Sequence, residues 1–219
     1  MPPVLKRILT ALTTATLVVF AIIYAPTAWI TPAVAVLAAL GILEIFGLVA
    51  KRRPPFSISG LTVLLPAVVL FVFALAVLPL IAVKYGNLML LYVIAIIKVS
   101  DMGGFAFGLS SAKLMKGANH KLCPSISPNK SWEGLFGSLF ASMLLSAAFM
   151  PITHFALPKA LLIGFVAALV GTAGDLVESK FKRWAGVKDS ATFMPAGLGG
   201  FLDMLDSLLL APAAILILL

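Results

Sequence analysis

The stretch that decides the fold is LTVLLPAVVLFVFALAVLPLIAV, residues 61–83. It carries no charged side chain, and its length matches the roughly 20 apolar residues that an α-helix needs to cross a bilayer. A membrane β-strand would need only about half that length. The stretch therefore predicts a membrane-spanning helix, which Pro66 and Pro79 are expected to kink or to split.

Similar apolar windows recur along the whole chain. They predict seven spanning helices, at residues 8–24, 28–50, 58–83, 88–110, 132–150, 159–173 and 201–219. The composition agrees, because 62% of residues are hydrophobic and 11% are charged, whereas soluble domains have about half and about a quarter. We expect an all-α polytopic membrane protein with about seven transmembrane helices.

The predicted helices form one continuous domain with two parts. We expect residues 1–87 to provide N-terminal membrane helices and residues 88–219 to form the membrane part that carries the polar motifs discussed below, on the cytoplasmic face. Lys6 and Arg7 precede the first apolar window as in a signal peptide. Because further spans follow one another, we expect this window to be an uncleaved first membrane helix.

Basic residues are distributed unevenly across the predicted bundle. Of the 16 Lys and Arg, all but Lys84, Lys98 and Lys159 fall on one side. Loops rich in Lys and Arg stay in the cytoplasm, so the N-terminus is expected inside and the C-terminus outside. The net charge of +8 then indicates topology and anionic lipid rather than nucleic acid. We expect a multi-pass protein of the cell inner membrane.

The acidic residues also gather towards the predicted cytoplasmic side. A charged group within a span costs a few kcal/mol or more, and neighbouring carboxylates repel one another. Interleaved Lys and Arg relieve part of this repulsion, and divalent cations would relieve more. The eight acids are Glu44, Asp101, Glu133, Asp175, Glu178, Asp189, Asp203 and Asp206.

The richest polar stretch is GDLVESKFKRWAGVKDSATFMPAGLGG, residues 174–200. On a helix, spacings of i, i+3, i+4 and i+7 place four of its residues on one face: Asp175, Glu178, Ser179 and Lys182. The helix is expected to end near Gly186, and Lys188 and Asp189 follow. Oxygen ligands and basic groups would then point the same way.

The glycine-rich turn at the end of this stretch leads into the last helix. Gly197, Gly199 and Gly200 permit a tight turn that could bring backbone N–H groups close to phosphates. The helix N-terminus that follows also favours anions. The alternative for residues 174–200 is an amphipathic interfacial helix followed by a flexible turn.

Asp203 and Asp206 stand one turn apart at the start of the last span. Acids at a helix N-terminus are ordinary dipole partners worth about 0.3–1 kcal/mol each. Two acids beside a glycine turn and a basic helix favour metal ligation instead. Oxygen ligands suit Mg²⁺ or Mn²⁺ bridging phosphates, whereas one cysteine and two distant histidines make zinc a poor candidate.

Two further stretches carry candidate residues. SPNKSWEG, residues 127–134, offers Lys130 as a phosphate ligand, although Ser131 and Glu133 could equally start a helix. KVSDMGGFAFG, residues 98–108, places Lys98 and Asp101 one turn apart, where an internal ion pair is the alternative. Its Gly-Gly pair predicts close helix contact or a break that lines a cavity.

Several of these stretches resemble the motifs of phosphatidate cytidylyltransferases, also called CDP-diacylglycerol synthases. SKFKRWAGVKDSA and GLGGFLDMLDS are similar to the family's Ser-x-apolar-Lys-Arg, Lys-Asp, Pro-Gly-His-Gly-Gly and Asp-Arg-x-Asp pattern. GDLVES, SPNKSWEG and SDMGGFAFG resemble three further motifs. The resemblance covers about the C-terminal half. Leu198 stands where the pattern has His, and Met204 stands where it has Arg.

The resemblance implies transfer of CMP from CTP to phosphatidate in phospholipid biosynthesis, giving CDP-diacylglycerol and pyrophosphate, with Mg²⁺ or Mn²⁺ as cofactor. It implies Asp175 and Asp203 as first metal ligands and Asp189 and Asp206 as second. The implied catalytic groups that hold phosphates or donate to the substrate are Ser179, Lys182, Arg183 and Lys188. The implied substrate-binding residues are Asp101, Lys130, Ser131, Gly199 and Gly200.

Three other functions stay open from the sequence alone. The enzyme could use another lipid phosphate of the polyprenyl or archaeol type, or it could be a CTP-dependent lipid kinase. A transporter with an acid-lined path is the non-enzyme alternative, which the gathering of acids at one side disfavours. The sequence also leaves a homodimer open.

Overall fold

The computed structural model describes residues 13, 16–51, 58–187 and 200–219 of the chain. Residues 16–24 are helical, and the elements that follow them are labelled in chain order. They are α1 (Thr27–Lys51), α2 (Ile58–Tyr85), α3 (Asn87–Leu114), β1 (Lys121–Cys123), β2 (Ser127–Ser131), α4 (Trp132–Ala148), α5 (Met150–Thr153), α6 (Leu157–Trp184), α7 (Phe201–Leu205), a 3-10 turn (Asp206–Leu208) and α8 (Ala211–Leu218).

Within the part of the chain that the structure describes, five helical segments are long and apolar enough to cross a membrane: Thr27–Ala50, Thr62–Tyr85, Asn87–Leu114, Leu157–Trp184 and Phe201–Leu218. The predicted window at 132–150 coincides with α4, which is apolar but shorter. The predicted window at 8–24 lies partly outside the described residues. The all-α membrane class is confirmed, whereas the count of seven and the orientation of the N-terminus stay predictions.

Helix α2 continues through both of its prolines. A proline inside a helix removes one backbone hydrogen bond and bends the axis. Packing compensates here, because Phe71, Leu75 and Ile81 are buried and α2 lies against both α1 and α3. The prediction that the prolines might split this span is therefore wrong.

Helices α3 and α4 approach each other closely. A β-carbon at Gly103 would lie 2.6 Å from the backbone oxygen of Gly137, and one at Gly104 would lie 2.4 Å from Ser138 Oγ. Small residues permit such contact between membrane helices. The close contact predicted from the Gly-Gly pair is confirmed.

Helix α6 is longer than the predicted window at 159–173. It runs without interruption from Leu157 to Trp184, so the apolar span and the polar face predicted after residue 174 belong to one helix. It ends just before Gly186, whose φ of +76° suits a glycine after a helix C-terminus. The predicted helix end is confirmed.

A β-hairpin is an addition to the all-α prediction. Strands β1 and β2 pair antiparallel, with Lys121 opposite Ser131 and Cys123 opposite Ser127. The hairpin connects α3 to α4, and Ser131 caps α4 by accepting a 3.1 Å hydrogen bond from Gly134 N. The predicted helix start at Ser131 is therefore confirmed.

The last span is interrupted rather than continuous. The five-residue helix α7 is followed by the 3-10 turn, and α8 begins only at Ala211. Pro212 has no N–H, so it cannot donate to the Leu208 carbonyl as helix continuation would require. Asp203 and Asp206 consequently lie in two different elements instead of on one helix face.

Candidate active site

The polar face predicted for α6 is present. Ser179 Oγ lies 3.5 Å from Asp175 Oδ1, and Lys182 Nζ lies 2.6 Å from Glu178 Oε2. Glu178 is only 2% exposed, so its carboxylate is held inside the bundle. The spacing of four residues along one helix accounts for both pairs.

Three carboxylates converge where this face meets the interrupted last span. Ligand oxygens of Asp175, Glu178 and Asp206 all lie within 4.8 Å of one another. Opposite ligands of an octahedral Mg²⁺ are separated by about 4 Å, so a small side-chain adjustment brings this set to the required spacing. The donor chemistry fits Mg²⁺ or Mn²⁺, and the geometry approaches the spacing that either ion requires.

Asp203 has a different environment from these three acids. Its Oδ2 accepts a 2.8 Å hydrogen bond from Gly200 N, which is a helix-capping contact. Its Oδ1 accepts a 2.6 Å hydrogen bond from Lys182 Nζ. Asp203 therefore caps α7, as the helix-dipole alternative expects, and it also forms an ion pair with Lys182 of the site.

Lys130 and Lys182 form ion pairs with carboxylates of the site. Lys130 on β2 forms an ion pair with Asp175. Lys182 lies between Glu178 and Asp203, 2.6 Å from an oxygen of each. Both ammonium groups are therefore placed where phosphate oxygens would compete with carboxylates for them.

A cavity of about 290 Å³ opens beside the carboxylates. It lies between α3, the hairpin, the start of α4 and the middle of α6. The cavity unites Asp101, Lys130, Ser131 and Asp175, which the sequence separates widely. Asn129 and Thr172 add polar groups to its wall, and Phe105 adds an apolar ring.

Asp101 also contacts the interrupted span directly. Its Oδ2 accepts a 2.7 Å hydrogen bond from Ser207 Oγ and lies 3.5 Å from Lys98 Nζ. The ion pair expected between Lys98 and Asp101 is present. It forms part of a network that reaches the 3-10 turn.

The remaining predicted residues make other contacts or lie outside the described chain. Arg183 donates through Nε to Ile126 O at 3.4 Å and through Nη1 to Val187 O at 3.3 Å. It therefore ties the hairpin to the end of α6. Lys188, Asp189 and Gly199 lie outside the described residues, as does Leu198.

Three acids received no role in the site from the sequence: Glu44, Glu133 and Glu178. Glu178 was placed on the correct face, and its spacing from Asp175 was the signal that could have added it to the metal ligands. Glu133 Oε1 accepts a 3.1 Å hydrogen bond from His120 N and lies 2.8 Å from His120 Nδ1. Glu133 thereby fixes the chain just before the hairpin that carries Lys130.

The matching sequence model of the cytidylyltransferase family spans residues 56–219. This chain belongs to the cytidylyltransferase family. The matched range includes all the carboxylates and lysines of the site described above, and it leaves out α1.

Named relatives agree with this family. The chain is 42% identical over 120 residues to a phosphatidate cytidylyltransferase of Staphylococcus aureus, covering 54% of this chain and 44% of the relative. It is 38% identical over 130 residues to one of Haemophilus influenzae, covering 57% and 43%. The chain thus spans less than half the length of these curated relatives.

Proposed function

We propose that this cytidylyltransferase-family protein transfers CMP from CTP to phosphatidate, giving CDP-diacylglycerol and pyrophosphate. The observation that carries the proposal is the meeting of Asp175, Glu178 and Asp206 with Lys130 and Lys182 beside a cavity. Family membership and the names of the relatives support the substrates.

The site suits this reaction because the nucleophile needs no activation by a base. A phosphatidate oxygen is already ionised at neutral pH. It would form a bond to the α-phosphorus of CTP as the bond from that phosphorus to the bridging oxygen breaks, and pyrophosphate would leave. Catalysis then consists of positioning and charge neutralisation.

The lysines would exchange partners during substrate binding. Lys130 and Lys182 hold carboxylates in this structure, and both would turn to phosphate oxygens. Ser179, whose Oγ lies near Asp175, would donate a further hydrogen bond to the substrate. Asp101 and Ser131 line the cavity and would shape the substrate site, whereas Gly200 would act through its hydrogen bond to Asp203.

We propose Asp175, Glu178 and Asp206 as the first ligands of Mg²⁺, with Mn²⁺ as a substitute. A bound divalent cation would supply positive charge beside the phosphates. Asp203 would become available to it once Lys182 moves to a phosphate. Asp189 stays a candidate ligand from the sequence.

The membrane placement follows the distribution of charge. We propose a multi-pass protein of the cell inner membrane, with its N-terminus and the site on the cytoplasmic side. CTP would enter from the cytoplasm, and the lipid phosphate would arrive laterally from the bilayer. This arrangement accounts for charged and apolar groups meeting at one membrane edge.

Proteoliposomes test the proposal directly. Purified protein is supplied with CTP, Mg²⁺ and phosphatidate, and released pyrophosphate and labelled lipid are measured. We expect pyrophosphate and CDP-diacylglycerol in equal amounts. Parallel vesicles contain polyprenyl phosphate, an archaeol-type phosphate or diacylglycerol.

Each alternative has its own outcome in this assay. Turnover only with another lipid phosphate would reassign the substrate. Release of CDP instead of pyrophosphate, with diacylglycerol as acceptor, would identify a lipid kinase. Absence of any nucleotide-dependent product would contradict the proposed enzyme.

A further inference from the structure

The one-turn helix α7 is held at both ends by charged side chains from other spans. Glu44 of α1 accepts a 2.9 Å hydrogen bond from Leu202 N through its Oε2. Lys98 of α3 donates a 2.9 Å hydrogen bond from Nζ to Met204 O. A carboxylate thus lies at the N-terminal end and an ammonium group at the C-terminal end.

The signs of these charges match the helix. The N–H groups at the start of a helix carry partial positive charge, and the C=O groups at its end carry partial negative charge. Glu44 is 0% exposed, so its contact with Leu202 is made inside the bundle. This contact joins residues that are 158 positions apart in the chain.

Lys98 donates to the Met204 carbonyl, which the interruption leaves without its helical hydrogen-bond partner. In a continuous helix, Met204 O would accept from Leu208 N. The helix gives way at Asp206 to the 3-10 turn, in which Leu209 N donates to Asp206 O at 3.2 Å. Lys98 Nζ takes the Met204 carbonyl and also donates to Ser207 Oγ at 3.0 Å.

Backbone groups inside a membrane protein must find partners within the protein. An interrupted span is therefore stable only where neighbouring side chains complete its hydrogen bonds. Glu44 and Lys98 do so on either side of Asp203, and Lys98 reaches the turn that carries Asp206. Both residues thus contact the segments that carry the acids of the site.

We propose that Glu44 and Lys98 are positioning residues that hold α7 and the 3-10 turn so that Asp203 and Asp206 face α6. Glu44 lies before the range matched by the family, so an N-terminal span serves the site. The effect on turnover rests on the proposed function, whereas the effect on the position of α7 does not.

The experiment compares size-matched and conservative variants. Glu44→Met and Lys98→Met remove the polar atoms, whereas Glu44→Gln keeps an acceptor and Lys98→Arg keeps a cationic donor. Leu48→Ala and Ile96→Ala are the controls, because they remove buried side chains of the same two helices. If Glu44→Met fails to fold, the comparison of Lys98→Met with Lys98→Arg decides the proposal.

Two readouts follow every variant. The first is the rate at which a water-soluble maleimide labels a cysteine introduced as Met204→Cys, a position that is 47% exposed, in a Cys123→Ser background. The second, in the parent sequence, is kcat and KM for CTP. Labelling needs no substrate, so it judges the positioning role even if the proposed reaction is wrong.

We expect the two Met variants to label several-fold faster and to lose about tenfold or more in kcat, because small misplacements of reacting groups are costly. The Gln, Arg and Ala variants should stay near the parent in both readouts, although the Ala variants should melt at lower temperature. Unchanged labelling in both Met variants, or equal labelling changes in the controls, would overturn the proposal.

Discussion

The two halves of α6 contact their neighbours through different kinds of polar interaction. In the first half, hydroxyl groups of α4 donate to its backbone: Ser142 Oγ to Gly164 O at 2.8 Å and Ser146 Oγ to Ala160 O at 2.5 Å. In the second half, Asp175 and Glu178 contact lysines that they share with other segments. Both halves lie in one helix of the bundle.

The difference separates a structural contact from a functional one. When a neutral hydroxyl donates to a carbonyl, both polar groups gain a hydrogen-bond partner within two neighbouring helices. Buried ion pairs lose much of their attraction to desolvation, and an apolar replacement of the whole pair is often no less stable. The ionic half of α6 is therefore better explained by what it binds than by what it stabilises.

Among the variants that test this comparison, Lys182→Met should cause the largest loss of turnover. Removing the ammonium group takes away a phosphate ligand and leaves Glu178 without its ion pair. We expect turnover to fall by about a hundredfold or more, as for loss of a preorganised donor in other enzymes. CTP-dependent pyrophosphate release measures the loss.

Two control variants separate chemistry from folding in that test. Lys180→Met removes an exposed lysine two residues away and should leave turnover close to the parent. The double variant Lys182→Met with Glu178→Gln should regain thermal stability without regaining turnover. Recovery of turnover in the double variant would make Lys182 merely a counter-ion.

A smaller loss of turnover is expected from Gly174→Ala. A β-carbon at Gly174 would lie 2.8 Å from the backbone oxygen of Asp206, so the 3-10 turn must move away from α6. We expect kcat to fall about tenfold, because the carboxylate cluster loses its spacing. Normal kcat in a folded variant would contradict the account of how Asp206 is positioned.

The smallest effect on activity should come from Gly164→Ala. Its β-carbon would lie 2.7 Å from Met143 Cα, which should reduce the free energy of unfolding by about 1–3 kcal/mol with kcat unchanged. Gly171→Ala is the matched control, because the nearest atom there is 3.8 Å away. A kcat loss at Gly164 as large as at Gly174 would remove the distinction between the two halves.

Most of the helical architecture could be predicted from the sequence. Long apolar windows set the spans, and the Gly-Gly pair at 103–104 predicted the contact between α3 and α4. The continuity of α6 was missed, because the apolar window ends at residue 173 while the helix continues into its polar face. The interruption after Leu205 was missed because no proline or glycine stands at that point; Pro212, which cannot donate to the Leu208 carbonyl, lies further along the chain.

The sequence predicted which residues form the site better than it predicted how they are arranged. Helical spacing placed Asp175, Glu178 and Lys182 on one face, as the structure has them. Spacing could not tell that Asp206 joins Asp175 while Asp203 contacts Lys182, because that depends on a broken helix. Contacts between distant segments, such as that of Glu44 with Leu202, leave no periodic signal in the sequence.

The central claim is that Asp175, Glu178 and Asp206 hold one divalent cation. Mn²⁺ binding to the purified protein, followed by electron paramagnetic resonance without nucleotide, tests it most directly. We expect stoichiometric binding that Asp206→Asn weakens by at least about tenfold, since even the outer hydrogen-bond partners of metal ligands contribute at that scale. Equal Mn²⁺ affinity in the parent and in a folded Asp206→Asn variant would contradict the account.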